Sequence, residues 1–126
     1  MKRRRLTPAE RMTVYNKCNG HCAYCGCELE YTAMQVDHVE PFIHGGADEL
    51  DNMLPACRSC NHYKSSMTLE GFRYNLERMP MVLERDCVTY KIAKRFGIVQ
   101  EGKKKVKFYF ESEENNDDKE ICKKTC

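Results

Sequence analysis

Two cysteine pairs, Cys22-x-x-Cys25 and Cys57-x-x-Cys60, enclose an Asp37-His38 dipeptide and Asn52, and Asn61 comes directly after the second pair. Cysteines two residues apart let one tight turn aim both thiolates at a single soft cation, and two such turns complete a closed, structural zinc site. Asp, His and Asn between and beside the pairs supply the groups of metal-assisted hydrolysis. A carboxylate and an amide carbonyl are hard oxygen ligands, and an imidazole can take a proton from water.

The chain has nine cysteines, an odd number. It opens on Met1-Lys2-Arg3-Arg4-Arg5 with no apolar run behind it, so no secretory signal is predicted. Metal-binding thiols in a reducing, cytoplasmic compartment are therefore expected, rather than a disulfide framework. Cys18 and Cys27 lie near enough to the first pair to compete as ligands, but the spacing of Cys22 and Cys25 copies that of Cys57 and Cys60. Cys122 and Cys126 fall in an acidic tail and read as free thiols.

The 126 residues, 41% of them hydrophobic, suit one domain with a modest core. No stretch approaches the roughly 20 apolar residues of a membrane span. The net charge of +2 is segregated: residues 1–17 carry six Lys or Arg against one Glu, and residues 111–126 carry six acids against three Lys. Without the tail the charge is +5, which suits a partner made of phosphates.

Local sequence signals predict a scaffold for these groups. Thr7-Pro8-Ala9-Glu10 places a hydroxyl cap, a first-turn proline and a Glu for a helix that stops near Gly20. Residues 31–39 read as a strand delivering Asp37 and His38. Pro41 and Gly45-Gly46 then break regular structure. A second short strand is expected through Leu50, Asn52 and Leu54, with Pro55 and the second pair opening a helix near residues 58–65. Adjacent strand residues face opposite ways, so Asp37 and His38 need a local irregularity to share a site. After Thr68, the spacing of Leu69, Phe72, Leu76 and Met79 predicts a core-packed helix ended by Pro80. Val88, Ile92 and Phe96 predict another, stopped at Gly97. Alternation at Val106, Phe108 and Phe110 predicts a late strand, paired as a hairpin with Ile98-Val99.

Cys-x-x-Cys, Asp-His, Gly-Gly, Asn and Cys-x-x-Cys-Asn-x-x-Lys, in that order from Cys22 to Lys64, resemble the HNH endonucleases with their ββα-metal (His-Me finger) site. Eleven residues separate Cys25 from Asp37, 13 separate His38 from Asn52, and eight separate Asn52 from Asn61. The resemblance implies a small zinc-stapled α+β domain, to which the local signals above add flanking helices and a C-terminal β-hairpin. Charge and local signals place a basic arm and helix over 1–20, helices and hairpin over 67–110, and a disordered acidic tail over 111–126, around the HNH core with its four-cysteine zinc over 21–66 that comes from the resemblance. The resemblance further implies DNA phosphodiester hydrolysis with His38 as general base and one Mg²⁺ or Mn²⁺ on Asp37 and Asn61. Asn52 would brace the loop that holds His38, and Lys64 would face the helix surface near DNA. Asn61 stands where many members have His, an H-N-N variant, and His62 beside it is the competing ligand. Basic residues of the arm and of 103–107 are expected on the DNA backbone.

Two rivals remain. His38-Val39-Glu40 with Cys57-x-x-Cys60 resembles zinc deaminases, but Pro41 spoils the helix such a site needs and Cys22 with Cys25 would be idle. A non-catalytic zinc-finger module binding nucleic acid would leave Asp37, His38, Asn52 and Asn61 without a role.

Overall fold

A computed structural model describes residues 3–102 and 104–112 of the chain. Lys103, the acidic tail from residue 113, Cys122 and Cys126 lie outside the described residues. The chain divides into two compact units, residues 1–69 with 107–126, and residues 70–106.

In the first unit, helix α1 (Pro8–Asn16) starts with a complete capping box. The Glu10 amide donates to Thr7 Oγ1 at 3.2 Å and the Thr7 amide to Glu10 Oε1 at 3.0 Å, satisfying two donors that a helix start otherwise leaves bare. The helix ends at Asn16, short of Gly20, and turns lead to Gly20 at φ +79°. Its polar side chains and Lys17 just beyond it tie down later segments: Arg11 Nη2 donates to the Tyr31 and Met34 carbonyls at 2.9 and 2.8 Å, and Lys17 Nζ to the Leu50 and Met53 carbonyls.

Strands β1 (Gln35–His38) and β2 (Met53–Ala56) pair antiparallel, with Asp37 opposite Leu54 and His38 opposite Met53. β1 is shorter than the sequence predicts, and β2 begins at Met53, beyond the expected Leu50 and Asn52. Residues 31–33 and 50–52 close into 3₁₀ turns, the first held where Arg11 captures the carbonyls of Tyr31 and of Met34 just after it. Pro55 belongs to β2 rather than to a helix start; a two-stranded sheet has only edge strands, where its missing N–H is tolerated. Helix α2 (Arg58–Lys64) comes next, capped by Cys57, whose sulfur accepts from the Cys60 amide at 3.4 Å. Met34, Met53, Ala56 and Val14 are buried around the sheet.

The predicted C-terminal hairpin does not form among the described residues. Phe108 and Phe110 do share a face, stacking edge-on against Tyr24 at 5.3 and 6.1 Å. Their backbone, however, finds partners in the first cysteine turn: the Tyr109 amide donates to the Tyr24 carbonyl and the Phe110 amide to the Ala23 carbonyl. The chain then closes a 3₁₀ turn at Tyr109–Ser112, while Ile98 is 79% exposed.

The second unit comprises α3 (Leu69–Glu77, its first residue counted with the first unit), α4 (Met79–Asp86) and α5 (Val88–Arg95). Phe72 is its buried anchor. Pro80 does not terminate α3, which stops at Glu77; it sits in the first turn of α4, where a proline loses no hydrogen bond. That helix was not expected from the sequence. Val88, Ile92 and Phe96 of α5 and its end stay largely exposed. No helix among the described residues is long and apolar enough to cross a membrane.

One backbone approach is decisive for the loop between the strands. A Cβ on Gly46 would lie 2.0 Å from the Glu40 carbonyl oxygen. Gly46→Ala should therefore lower unfolding free energy by about 1–3 kcal/mol in urea denaturation. Gly102→Ala, with nothing within 4 Å of the added carbon, should be near neutral.

Candidate functional site

The sulfurs of Cys22, Cys25, Cys27 and Cys57 all lie within 4.8 Å of one another, a cluster that could hold a metal ion. Cys25 and Cys57 are 3.9 Å apart; a tetrahedral zinc with thiolates at ~2.3 Å requires sulfurs about 3.8 Å apart. Cys27, which the sequence ranks behind Cys60, is thus inside the cluster, while the Cys60 thiol hydrogen bonds with Cys22 and Cys25. Hydrogen bonds from the Cys25 and Cys60 thiols hold Cys22 down to about 2. The neighbouring Cys22 thiolate in turn pushes Cys25 up to about 11 and Cys60 well above the ordinary thiol range. Crowded thiols stabilise one negative charge and resist the next, a conflict that a bound dication removes.

Asp37, His38, Asn61 and His62 border one open cleft of about 420 Å³, with Arg3, Phe42 and Ser65 also on its rim. Asp37 and His38, although consecutive, are both nearly buried, 6% and 7% exposed. His38 is the last residue of β1, so the strand's alternation ends where the shared site begins. Asn61 is half-buried and His62 exposed.

The Asp37 carboxylate is compensated from inside the fold. Tyr24 Oη donates to Oδ2 at 2.5 Å, and Lys64 Nζ lies 3.0 Å from the same oxygen. Lys64 is fully buried and also donates to the His38 carbonyl at 3.1 Å. This corrects the surface position expected for Lys64. A buried carboxylate needs a countercharge, and the last turn of α2 offers the nearest one. Burial, and then the Asp37 charge, push the Tyr24 hydroxyl far above the phenol range and keep it a donor. Both contacts fall on Oδ2, leaving Oδ1 and the Asn61 amide as oxygen donors suited to a hard divalent cation.

Asn52 knits the loop after His38. Its Oδ1 accepts from the Glu40 amide, and its Nδ2 donates to the Glu40 and Ala47 carbonyls, each at 2.9 Å. Its own carbonyl accepts from the Val39 amide. The loop also presents Asp48, whose Oδ1 lies 2.8 Å from His38 Nε2. The Arg4 backbone amide and then the His38 ring hold Asp48 below the usual carboxylate range.

A family model described as HNH endonuclease matches residues 22–66. Residues 22–66 are an HNH endonuclease domain. This HNH domain contains the sulfur cluster, both strands, the loop and α2. The SPbeta prophage-derived protein YoqL of Bacillus subtilis (strain 168), whose name places it among HNH endonucleases, is 32% identical over 92 residues. The match covers 67% of this chain and 40% of YoqL, so the chain spans about two fifths of that relative. The Type II-C Cas9 enzyme from Actinomyces naeslundii shares the fold, with a TM-score of 0.50 and 23% identity over 60% of this chain and 8% of Cas9.

Tyr24 and Asp48 are the site neighbours that sequence reasoning missed. Tyr24 lies inside the first cysteine pair, where spacing speaks only of sulfur. Asp48 sits among ordinary loop acids, and no pattern ties it to a residue ten positions earlier. Lys64→Met should strand the Asp37 charge and cost about 3–5 kcal/mol. Adding Asp37→Asn should recover much of that loss in a double-mutant cycle of urea unfolding.

Proposed function

We propose that the chain is a metal-dependent HNH endonuclease that hydrolyses DNA phosphodiester bonds, leaving 5′-phosphate and 3′-hydroxyl ends. The observation carrying this reading is the convergence of Asp37, His38 and Asn61 on one cleft within the residues that the HNH family model matches.

Asp37 and Asn61 would hold one Mg²⁺ or Mn²⁺, which supplies Lewis-acid stabilisation of charge on the phosphate. Asn61 is preferred to His62 because it is half-buried at the cleft while His62 is exposed. His38 takes a proton from water as its oxygen attacks phosphorus; the P–O3′ bond breaks and the 3′-oxygen is protonated from solvent. Asn52 acts at a distance, holding the loop so that the His38 ring keeps its direction. Lys64 and Tyr24 fix the Asp37 carboxylate. Arg3, at the cleft rim and 5.8 Å from the Phe42 ring centre, is well placed for a DNA phosphate. Arg4 is committed to Asp48 and Glu10 instead. Arg5, Lys104, Lys105 and Lys107 are exposed and complete the basic set for backbone contact.

A structural zinc is assigned to Cys22, Cys25, Cys57 and Cys60. Cys60 is preferred to Cys27 as fourth ligand because it repeats the two-residue turn of the first pair. Metal analysis should find one zinc per chain, lost in Cys60→Ser and kept in Cys27→Ser; the reverse pattern would exchange the two residues.

Supercoiled plasmid incubated with the protein and Mg²⁺ or Mn²⁺ should be cut. His38→Ala should slow cleavage by about 10²–10⁴-fold without abolishing DNA binding. DNA binding with no cleavage by either protein would select the non-catalytic zinc-finger module.

A further inference from the structure

We infer that Asp48 is a positioning residue for His38, holding the neutral imidazole as the Nε2–H tautomer so that Nδ1 is the nitrogen left to accept a proton. The catalytic consequence rests on the proposed nuclease activity; the tautomer rests on geometry alone.

Asp48 Oδ1 and His38 Nε2 are 2.8 Å apart, between side chains only 17% and 7% exposed. An ionised carboxylate can only accept, so Nε2 must carry the hydrogen, and a neutral ring then has a bare lone pair on Nδ1. Nδ1 is buried and has no hydrogen-bond partner among the described residues. Leaving a buried acceptor unsatisfied costs free energy, and such atoms collect where a site uses them.

Asp48 is itself held from two sides. The Arg4 amide donates to its Oδ2 at 2.6 Å and Arg4 Nε to its carbonyl at 3.1 Å. Arg4 Nη1 pairs with Glu10, the residue that completes the α1 capping box. On the other side, Asn52 grips the carbonyl of Ala47, the preceding residue. The two carboxylate oxygens are thereby divided, Oδ2 to the N-terminal arm and Oδ1 to the ring. Removing that carboxylate takes away the contact that selects a tautomer at Nε2, and rotation of the ring would move the acceptor off the attacking water.

Long-range ¹⁵N–¹H spectra of the histidine rings, at a pH where they are neutral, read the tautomer directly. The parent is expected to show Nε2–H at His38, and Asp48→Ala a mixture. Asp48→Asn, which keeps the shape of the side chain, should also lose the single tautomer, because an amide can either donate or accept. On plasmid DNA both variants should lose kcat by about 10- to 100-fold with KM changed less than about twofold. An Nδ1–H ring in the parent, a tautomer indifferent to both substitutions, or a changed tautomer with unchanged kcat would each overturn the inference. A parent that never cuts DNA, yet whose tautomer depends on Asp48, would support the tautomer control and overturn the nuclease reading instead.

Discussion

Contact between sulfurs of two turns more than thirty residues apart sets the geometry on which the site depends. Cys22, Cys25 and Cys57 meet in one cluster, and each turn does a second job at the same place. The first carries Tyr24, whose hydroxyl reaches Asp37 on β1. The second starts α2, because the Cys57 sulfur accepts the Cys60 amide and so caps the helix that bears Asn61 and Lys64. Moving either turn would shift a partner of Asp37. A small core supplies little rigidity of its own, and a bound metal adds binding free energy to folding, about 10–16 kcal/mol for structural zinc in small modules.

Within that frame, buried charge decides the arrangement. Lys64 and Asp37 form a nearly dry ion pair, which contributes little net stability once desolvation is counted but is costly to break on one side. Its consequence is orientation: with Oδ2 occupied by Tyr24 and Lys64, the carboxylate can offer only Oδ1 to anything in the cleft. Lys64 also binds the His38 carbonyl, so one ammonium fixes both residues of the Asp-His dipeptide.

The loop between the strands works by backbone proximity. Gly46 packs against the Glu40 carbonyl too closely for any side chain, which folds the loop back and brings Asn52 and Asp48 beside the end of β1. The arm reaches the same loop through Arg4, linking the start of α1 to the His38 ring.

Spacing along the chain determined the cysteine turns, the Asp37-His38 and Asn61 positions, the α1 cap and the break at Gly45-Gly46, because these obey local rules of turn, cap and helix geometry that residue types report directly. The cleft lined by Asp37, His38 and Asn61 was legible for the same reason, as was the two-stranded α+β core. What only the tertiary structure decided involves partners distant in sequence. Lys64 turned inward to a buried carboxylate, Tyr24 reached across from the sulfur turn, and Asp48 met the histidine. Cys27 joined the sulfur cluster, and the 106–110 segment gave its amides to that turn instead of a hairpin. Alternation correctly placed Phe108 and Phe110 on one face, but it does not name the carbonyls their backbone will find. Burial of a charge or an amide creates a demand that any suitable group nearby in space can meet, and closeness in space is a property of the folded chain.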